Sequence, residues 1–155
     1  MIVMGIDPAW AKPIAWALAD PDTDKIVDYG TWPQGKDLKA SDIKIGVDSI
    51  YIEGSYPKNF DIAQKLAYPV GAIIARANDF GIKWKVITHD EWAMTYGLYK
   101  RMNRKGRIQA FKNLATSLVG KDLGEDINVA CLIALFGARQ EMAARLFMGK
   151  GNNNE

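Results

Sequence analysis

The order of strand-like and helix-like segments along the chain is the feature that most constrains its fold. The segments MIVMGID (1–7), PIAWALAD (13–20) and KIVDYGTWP (25–33) are short, apolar and joined by turn residues, which predicts three strands in an antiparallel meander. After residue 48 the pattern changes to one more strand, SIYIEG, followed by longer segments with helical spacing. This order predicts an α/β fold: a mixed central sheet with three antiparallel N-terminal strands followed by parallel strands, and helices on both faces.

The second half of the chain alternates helix, strand and helix. Residues 59–79 have apolar side chains at helical spacing, although Pro69 should kink or split that helix. The segment WKVIT predicts a short strand, with a helix starting after it at Thr88 or Asp90. Residues 97–106 are expected to form a basic loop, and two helices should follow it, RIQAFKNLATSLVG and EDINVACLIALFGARQEMAARLF.

Length and composition favour one domain. With 155 residues, of which 48% are hydrophobic and 25% charged, we expect a single domain over 1–149 and a disordered polar tail over 150–155. Cys131 is the single cysteine, so it has no partner for a disulfide. The N-terminus lacks a basic region before its apolar residues, and no apolar stretch approaches the roughly 20 residues of a membrane span. These features favour a cytoplasmic protein.

Acidic residues stand at three points where the predicted elements converge. Asp7 ends the first strand, Glu53 ends the fourth, and Glu125 with Asp126 opens the last helix. If the first and fourth strands are parallel neighbours, both carboxylates lie at the carboxyl edge of the sheet, where α/β folds bind ligands. Clustered carboxylates repel one another, and a pair of Mg²⁺ ions would relieve that repulsion and support phosphodiester hydrolysis. Taken singly, each acid also fits a turn or a helix N-terminus.

A basic segment follows these strands. No acid occurs between Glu91 and Asp122, whereas seven basic residues do, which creates a local positive field that attracts polyanions such as nucleic acid. The same residues could form a solvated helix face that acids elsewhere balance. The seven are Lys100, Arg101, Arg104, Lys105, Arg107, Lys112 and Lys121.

Three of these segments resemble one family in the order in which that family carries them. MIVMGIDPA resembles the opening GIDPG strand of RuvC-type Holliday junction resolvases, and IYIEGSYPKN resembles their second acidic strand with its aromatic and basic loop. EDINVACLIA resembles the acidic start of their last helix. The resemblance spans nearly the whole chain, and the shortness of the chain is similar to that of bacteriophage members.

The resemblance implies an RNase H-like fold and a homodimer that cuts a four-way DNA junction, with two Mg²⁺ or Mn²⁺ ions in each active site. By matching positions, it makes Asp7 and Glu53 metal ligands. It draws the remaining catalytic positions from the start of the last helix, where Glu125, Asp126 and Asn128 are the candidates.

Asn128 departs from the pattern of the family, which places two acids three or four residues apart on that helix. Glu125 and Asn128 are three apart and therefore share a helix face. We hypothesise that residue 128 is Asp in the active enzyme and that Asn128 leaves this form inactive. The alternative is that Glu125 and Asp126 both serve and Asn128 is an ordinary polar residue.

The resemblance also assigns DNA contacts. Tyr56, Lys58 and Phe60 follow the strand that ends in Glu53, and an aromatic ring there could stack on an unpaired base for roughly 1–3 kcal/mol. Phe60 equally fits the apolar face of the helix that follows, and that helix suits either a dimer interface or the core. Phosphate contacts are expected from the basic loop, namely from Lys100, Arg101, Arg104, Lys105 and Arg107.

Three functions are compatible with these residues. The first is a metal-dependent endodeoxyribonuclease acting on Holliday junctions in recombination or phage DNA processing. The second is a catalytically idle nucleic-acid-binding module of the same fold, and the third is a YqgF-like RNA-processing nuclease. His89, the single histidine, could act as a base beside the acids, although a structural role next to a helix start is the simpler interpretation.

Overall fold

A computed structural model describes residues 1–54, 60–98 and 102–150. Five strands form one sheet in the order β3-β2-β1-β4-β5. The strands are β1 (Val3–Asp7), β2 (Pro13–Asp20), β3 (Lys25–Gln34), β4 (Ser49–Glu53) and β5 (Lys83–Ile87). The helices are α1 (Phe60–Asp79), α2 (His89–Ala93), α3 (Arg104–Val119) and α4 (Glu125–Lys150).

The predicted fold class is confirmed. Strands β1, β2 and β3 pair antiparallel as a meander, and β4 lies parallel to both β1 and β5. The predicted adjacency of the first and fourth strands is therefore correct. The helix after β5 begins at His89 with Thr88 as its N-cap, which agrees with the first of the two predicted starts, Thr88 or Asp90.

Each face of the sheet is covered by a different part of the chain. Side chains alternate between the two faces along a strand, so Val3 of β1 packs with α4 while Met4 and Ile6 pack on the opposite side with α1. In β4, Tyr51 faces α4 in the same way. Asp7 and Glu53 are in phase with Val3 and Tyr51, so both acids belong to the α4 face.

Helix α4 lies directly on β1 at Gly5. A Cβ atom built on Gly5 would lie 2.2 Å from the backbone nitrogen of Ala134 and 2.5 Å from the carbonyl oxygen of Ala130. Only glycine permits this approach of strand and helix backbones. Between Glu125 and Met148, α4 contains an 18-residue window that is long and apolar enough to cross a membrane (mean hydropathy 1.2), but 61% of that window is buried, as in the core helix of a folded domain.

Two predicted boundaries differ from the structure. The basic loop ends earlier than expected because the Asn103 side chain accepts a hydrogen bond from Gly106 N (2.7 Å) and starts α3 at Arg104. Pro69 lies inside α1 without splitting it, and its buried ring packs close to Gly35. Helix α4 continues to Lys150, and the rest of the predicted tail lies outside the described residues.

Candidate active site

Asp7 and Glu53 lie side by side at the carboxyl edge of the sheet. Ile6 pairs with Ile52 in the parallel register of β1 and β4, and each acid is the next residue of its strand. A cavity of about 240 Å³ opens in front of them, between the sheet edge, the first turn of α3 and the first turns of α4. Its lining residues are Asp7, Glu53, His89, Arg104, Arg107, Ile108, Phe111, Glu125 and Val129.

The Asp7 carboxyl is strongly perturbed by its surroundings. Burial raises its pKa well above the ordinary value of 3.8, and the nearby carboxylates of Glu53, Asp126 and Glu125 raise that pKa further. Lys12 acts in the opposite direction and lowers the pKa of Asp7. The charged form of Asp7 is therefore disfavoured mainly because the group is buried, and further because other carboxylates lie near it.

Asp126 approaches this cluster from α4 but is not among the residues that line the cavity. Lys12, in the loop between β1 and β2, places its Nζ atom 2.7 Å from Asp126 Oδ1. This contact is the largest cause of the raised pKa of Lys12, and the charges of Asp7 and Glu125 raise that pKa further. Lys12 thus partly neutralises the acidic cluster.

The structure does not bring Asn128 to the cavity, contrary to the expectation that listed it among the ligands. Its side chain is almost fully buried, at 1% exposure, and turns back toward the loop before α4. Asn128 Oδ1 accepts a hydrogen bond from Leu123 N (3.0 Å), and Nδ2 donates one to Asp122 Oδ1 (2.8 Å). Both functions of the amide are therefore used in holding that loop. The residue of α4 that does line the cavity, one turn after Glu125, is Val129.

Glu53 has a hydrogen-bond partner within the cavity. His89 Nδ1 lies 2.9 Å from Glu53 Oε1, and the exposed fractions of the two side chains are 38% and 15%. The contact forms because β5 pairs with β4 in register, with Glu53 opposite Ile87, so the first residue of α2 follows close beside the acid.

Arginine side chains face the acids from α3. Arg104 and Arg107 belong to the first turns of this helix and line the cavity, while Lys105 between them is exposed. The N-terminal end of a helix dipole favours anions, so basic residues there are intrinsically unfavourable. The acids across the cavity offset this cost, so basic and acidic side chains face each other in one pocket.

The other expected DNA contacts lie apart from this cavity or outside the described residues. Phe60 begins α1 with 74% of its surface exposed, so the interpretation of Phe60 as a core residue of this chain is wrong. The remaining four residues fall in segments that the structure does not describe: Tyr56, Lys58, Lys100 and Arg101.

The solved structures similar to this chain include two of RuvC from Thermus thermophilus. One, RuvC in complex with a Holliday junction substrate, is 12% identical, with a TM-score of 0.67 over 92% of this chain and 96% of that one. The other is also 12% identical, with a TM-score of 0.69 over 92% of this chain and 97% of that one. The chain has the RuvC fold. No family model matches the sequence, and comparison with curated proteins gives no match.

The RuvC fold raises the question of whether these residues suit divalent cations. Within residues 1–54, 60–98 and 102–150, no three His, Cys, Asp or Glu side chains are grouped closely enough to hold a metal ion. Glu53 contacts His89, and Asp126 contacts Lys12. The donors themselves are carboxylate oxygens, which Mg²⁺ prefers. Burial, and to a smaller extent the neighbouring carboxylates, raise the pKa of Asp7, and a bound cation would favour its charged form. The chemistry of the donor set fits a divalent cation.

Lys12 was missing from the expected set of site residues, whereas His89 was considered only as a possible base beside the acids. Lys12 carries no distinguishing signal in the sequence, because its partner Asp126 is 114 positions away. The position of His89 immediately after a strand that pairs with the Glu53 strand was a usable signal, but only once the strand order was known.

Proposed function

We propose that this protein is a Holliday junction resolvase, a structure-selective endonuclease that hydrolyses phosphodiester bonds in four-way DNA with two Mg²⁺ or Mn²⁺ ions per active site. One observation carries the proposal. Within a RuvC fold, carboxylates at the sheet edge face two arginines across a single cavity of about 240 Å³. A phosphodiester needs both, because acids hold the cations and arginines hold the phosphate.

Asp7 and Glu53 are the proposed principal ligands, and Glu125 or Asp126 completes the set from α4. When bound, the two ions would supply an activated water and stabilise the leaving oxygen. Asp7 is the residue on which binding depends most, since its buried carboxyl is surrounded by other acids. If the Asp126 carboxylate is to become a cation ligand, its ion pair with Lys12 must break.

The DNA would be held mainly through phosphates. Arg104 and Arg107 would contact the phosphates nearest the cleaved bond, and Lys105 would contact a neighbouring one. Lys58, Lys100 and Arg101 extend this proposed surface, and Tyr56 or Phe60 would stack on an unpaired base. Phe60 is available for this role because its ring is exposed.

A homodimer is proposed through α1. This helix buries Pro69, Ile73 and Ala77 against the sheet, yet its N-terminal half exposes Ile62 at 46% and Tyr68 at 54%. A second copy could cover that apolar surface, and two active sites would match the symmetry of a four-way junction. Light scattering should give twice the chain mass, and a monomer at assay concentration would contradict this assembly. Cytoplasmic localisation and a phage origin stay predictions.

The test is a cleavage assay on a synthetic four-way junction with Mg²⁺ or Mn²⁺. We expect paired nicks from the wild type and none from Asp7→Asn, which should still bind the junction. Linear duplex and RNA of matched sequence serve as controls. Preferential cleavage of RNA would favour the YqgF-like alternative.

A catalytically idle junction-binding module is the second candidate. The observation that favours it is the apolar side chain of Val129, which occupies the pocket-facing turn of α4 after Glu125. Tight junction binding with no cation-dependent cleavage by the wild type would select this function. The separate hypothesis that Asn128 replaces a catalytic Asp remains a proposal, although the contacts of the buried amide oppose it.

A further inference from the structure

His89 is held beside Glu53 more firmly than a chance neighbour would be. Its ring packs edge-on against Trp92 (centroids 4.9 Å apart, 74° between planes) and against Phe111 (5.7 Å, 66°). Trp92 is fully buried and Phe111 is 7% exposed. The two aromatic rings therefore restrict both the position and the tilt of the imidazole.

The backbone of His89 is fixed as well. The preceding Thr88 caps α2, with Glu91 N donating to Thr88 Oγ1 (3.2 Å) and Thr88 N donating to Glu91 Oε2 (2.6 Å). This reciprocal pair is a capping box, which sets the direction in which the helix leaves β5. Backbone and ring are thus fixed independently, and together they direct Nδ1 at Glu53 Oε1, 2.9 Å away.

We propose that His89 is a positioning residue for Glu53. The Nδ1–H group donates to Oε1, which fixes the rotamer of the glutamate and leaves its second oxygen for a cation. A glutamate side chain has several rotatable bonds, and fixing them before the cation arrives lowers the entropic cost of binding. The inference rests on the proposed function, in which Glu53 is a cation ligand.

Two substitutions separate the hydrogen bond from the packing. His89→Asn keeps an N–H donor at the place of Nδ1 but removes the ring. His89→Phe keeps a ring between Trp92 and Phe111 but removes the donor. Affinity for Mn²⁺, measured by titration calorimetry without DNA, should fall about tenfold or more in the Phe variant and stay within about threefold of wild type in the Asn variant. Thermal unfolding should show the reverse order, with the Phe variant the more stable of the two.

The outcomes are distinguishable. A loss of affinity confined to the Asn variant, an equal loss in both variants, or no loss in either overturns the positioning role. A wild type that binds no Mn²⁺ overturns this role and the proposed nuclease together. A wild type that binds Mn²⁺ and cuts junctions while the Phe variant binds equally well overturns only the role of His89.

A measurement without any cation is also available, because His89 is the only histidine in the sequence. Its ring nitrogens can therefore be observed by NMR without assignment of other histidines. We expect a proton on Nδ1 and a change in the Nδ1 chemical shift in Glu53→Gln. A ring that carries its proton only on Nε2 cannot donate to Glu53 from Nδ1 and would overturn the proposal.

Discussion

At the scale of single residues, the start of α4 shows why an amide stands at position 128. The position must accept a hydrogen bond from Leu123 N and donate one to the Asp122 carboxylate, and it is almost completely buried. Only an amide of this size provides both functions. An Asp there would present its second oxygen to another carboxylate.

Asn128→Asp should therefore destabilise the fold. We expect the free energy of unfolding to fall by roughly 1–3 kcal/mol, because a buried hydrogen bond is replaced by repulsion between carboxylates. Chemical denaturation would measure the change. Adding Asp122→Asn to this variant reverses the donor and the acceptor and should recover part of the loss. A variant that keeps its stability and gains cation-dependent cleavage would instead establish residue 128 as a ligand position.

Asp7→Asn should stabilise the cation-free protein while abolishing cleavage. The folded-state pKa of Asp7 is raised, so between its ordinary value of 3.8 and the raised value the folded state holds a proton that the unfolded state releases. Stability contributed by this group is therefore present at acid pH and lost as pH rises through that window. Unfolding temperatures measured with a chelator from acid to neutral pH should fall less steeply for Asp7→Asn, and it should melt several degrees higher at neutral pH. Identical profiles would contradict this electrostatic cost.

At the scale of elements, the contact between β1 and α4 determines where the last acids lie. The missing side chain of Gly5 lets α4 rest on the strand two residues before Asp7. The same contact sets how far Glu125 stands from the sheet edge, because helix and strand are both rigid. The close packing that Gly5 allows therefore also fixes the distance between the acids of α4 and those of the sheet edge.

Gly5→Ala should cost about 3 kcal/mol, the upper end for overpacking, because the added methyl group meets helix backbone at 2.2 Å and 2.5 Å. Gly71→Ala is the matched control, since Gly71 is a helical position of α1 with no atom within 4 Å of an added Cβ. The control should gain about 0.5–1 kcal/mol from its helix propensity. Similar unfolding energies for the two variants would show that α4 can shift without cost.

At the scale of the whole molecule, the charged residues of the cavity belong to one face of the sheet only. One face is closed by α1, and the other carries α4, the acids and the arginines of α3. With a net charge of only +2, attraction of a polyanion must come from local rather than overall charge.

The salt dependence of junction binding should reveal this asymmetry. Arg104→Gln combined with Arg107→Gln should lower the slope of log affinity against log salt by roughly 1–2, since each phosphate contact contributes about 0.9. Lys44→Gln is the control, because Lys44 is exposed beside Met4 and Trp16 on the opposite face. A change in the control half as large as that in the double variant would mean that the basic residues act only through total charge, because the control removes one charge and the double variant removes two.

The sequence was sufficient for features that depend on periodicity, and insufficient for those that depend on side-chain direction. The positions of Asp7 and Glu53 at strand ends predicted that they lie together, because the carboxyl ends of neighbouring parallel strands lie at the same edge of the sheet. Spacing alone suggested that the Asn128 side chain would face the site. In the structure it points to the turn before α4, where Gly124 has a φ of 89° and donates a hydrogen bond to the Asp122 side chain that also binds Asn128. The contact between His89 and Glu53 required the pairing of β4 with β5, which no local pattern encodes.

The acids of the cavity come from widely separated parts of the chain, with Asp7 near one end of the described fold and Glu125 near the other. During synthesis, the residues of β1 and β4 leave the ribosome before those of α4, because they precede α4 in the sequence. A nascent chain that has not yet packed residues 125–138 onto the sheet lacks both the cover of that face and the acids of α4. The cavity is therefore complete only after α4 has been synthesised and has packed on the sheet.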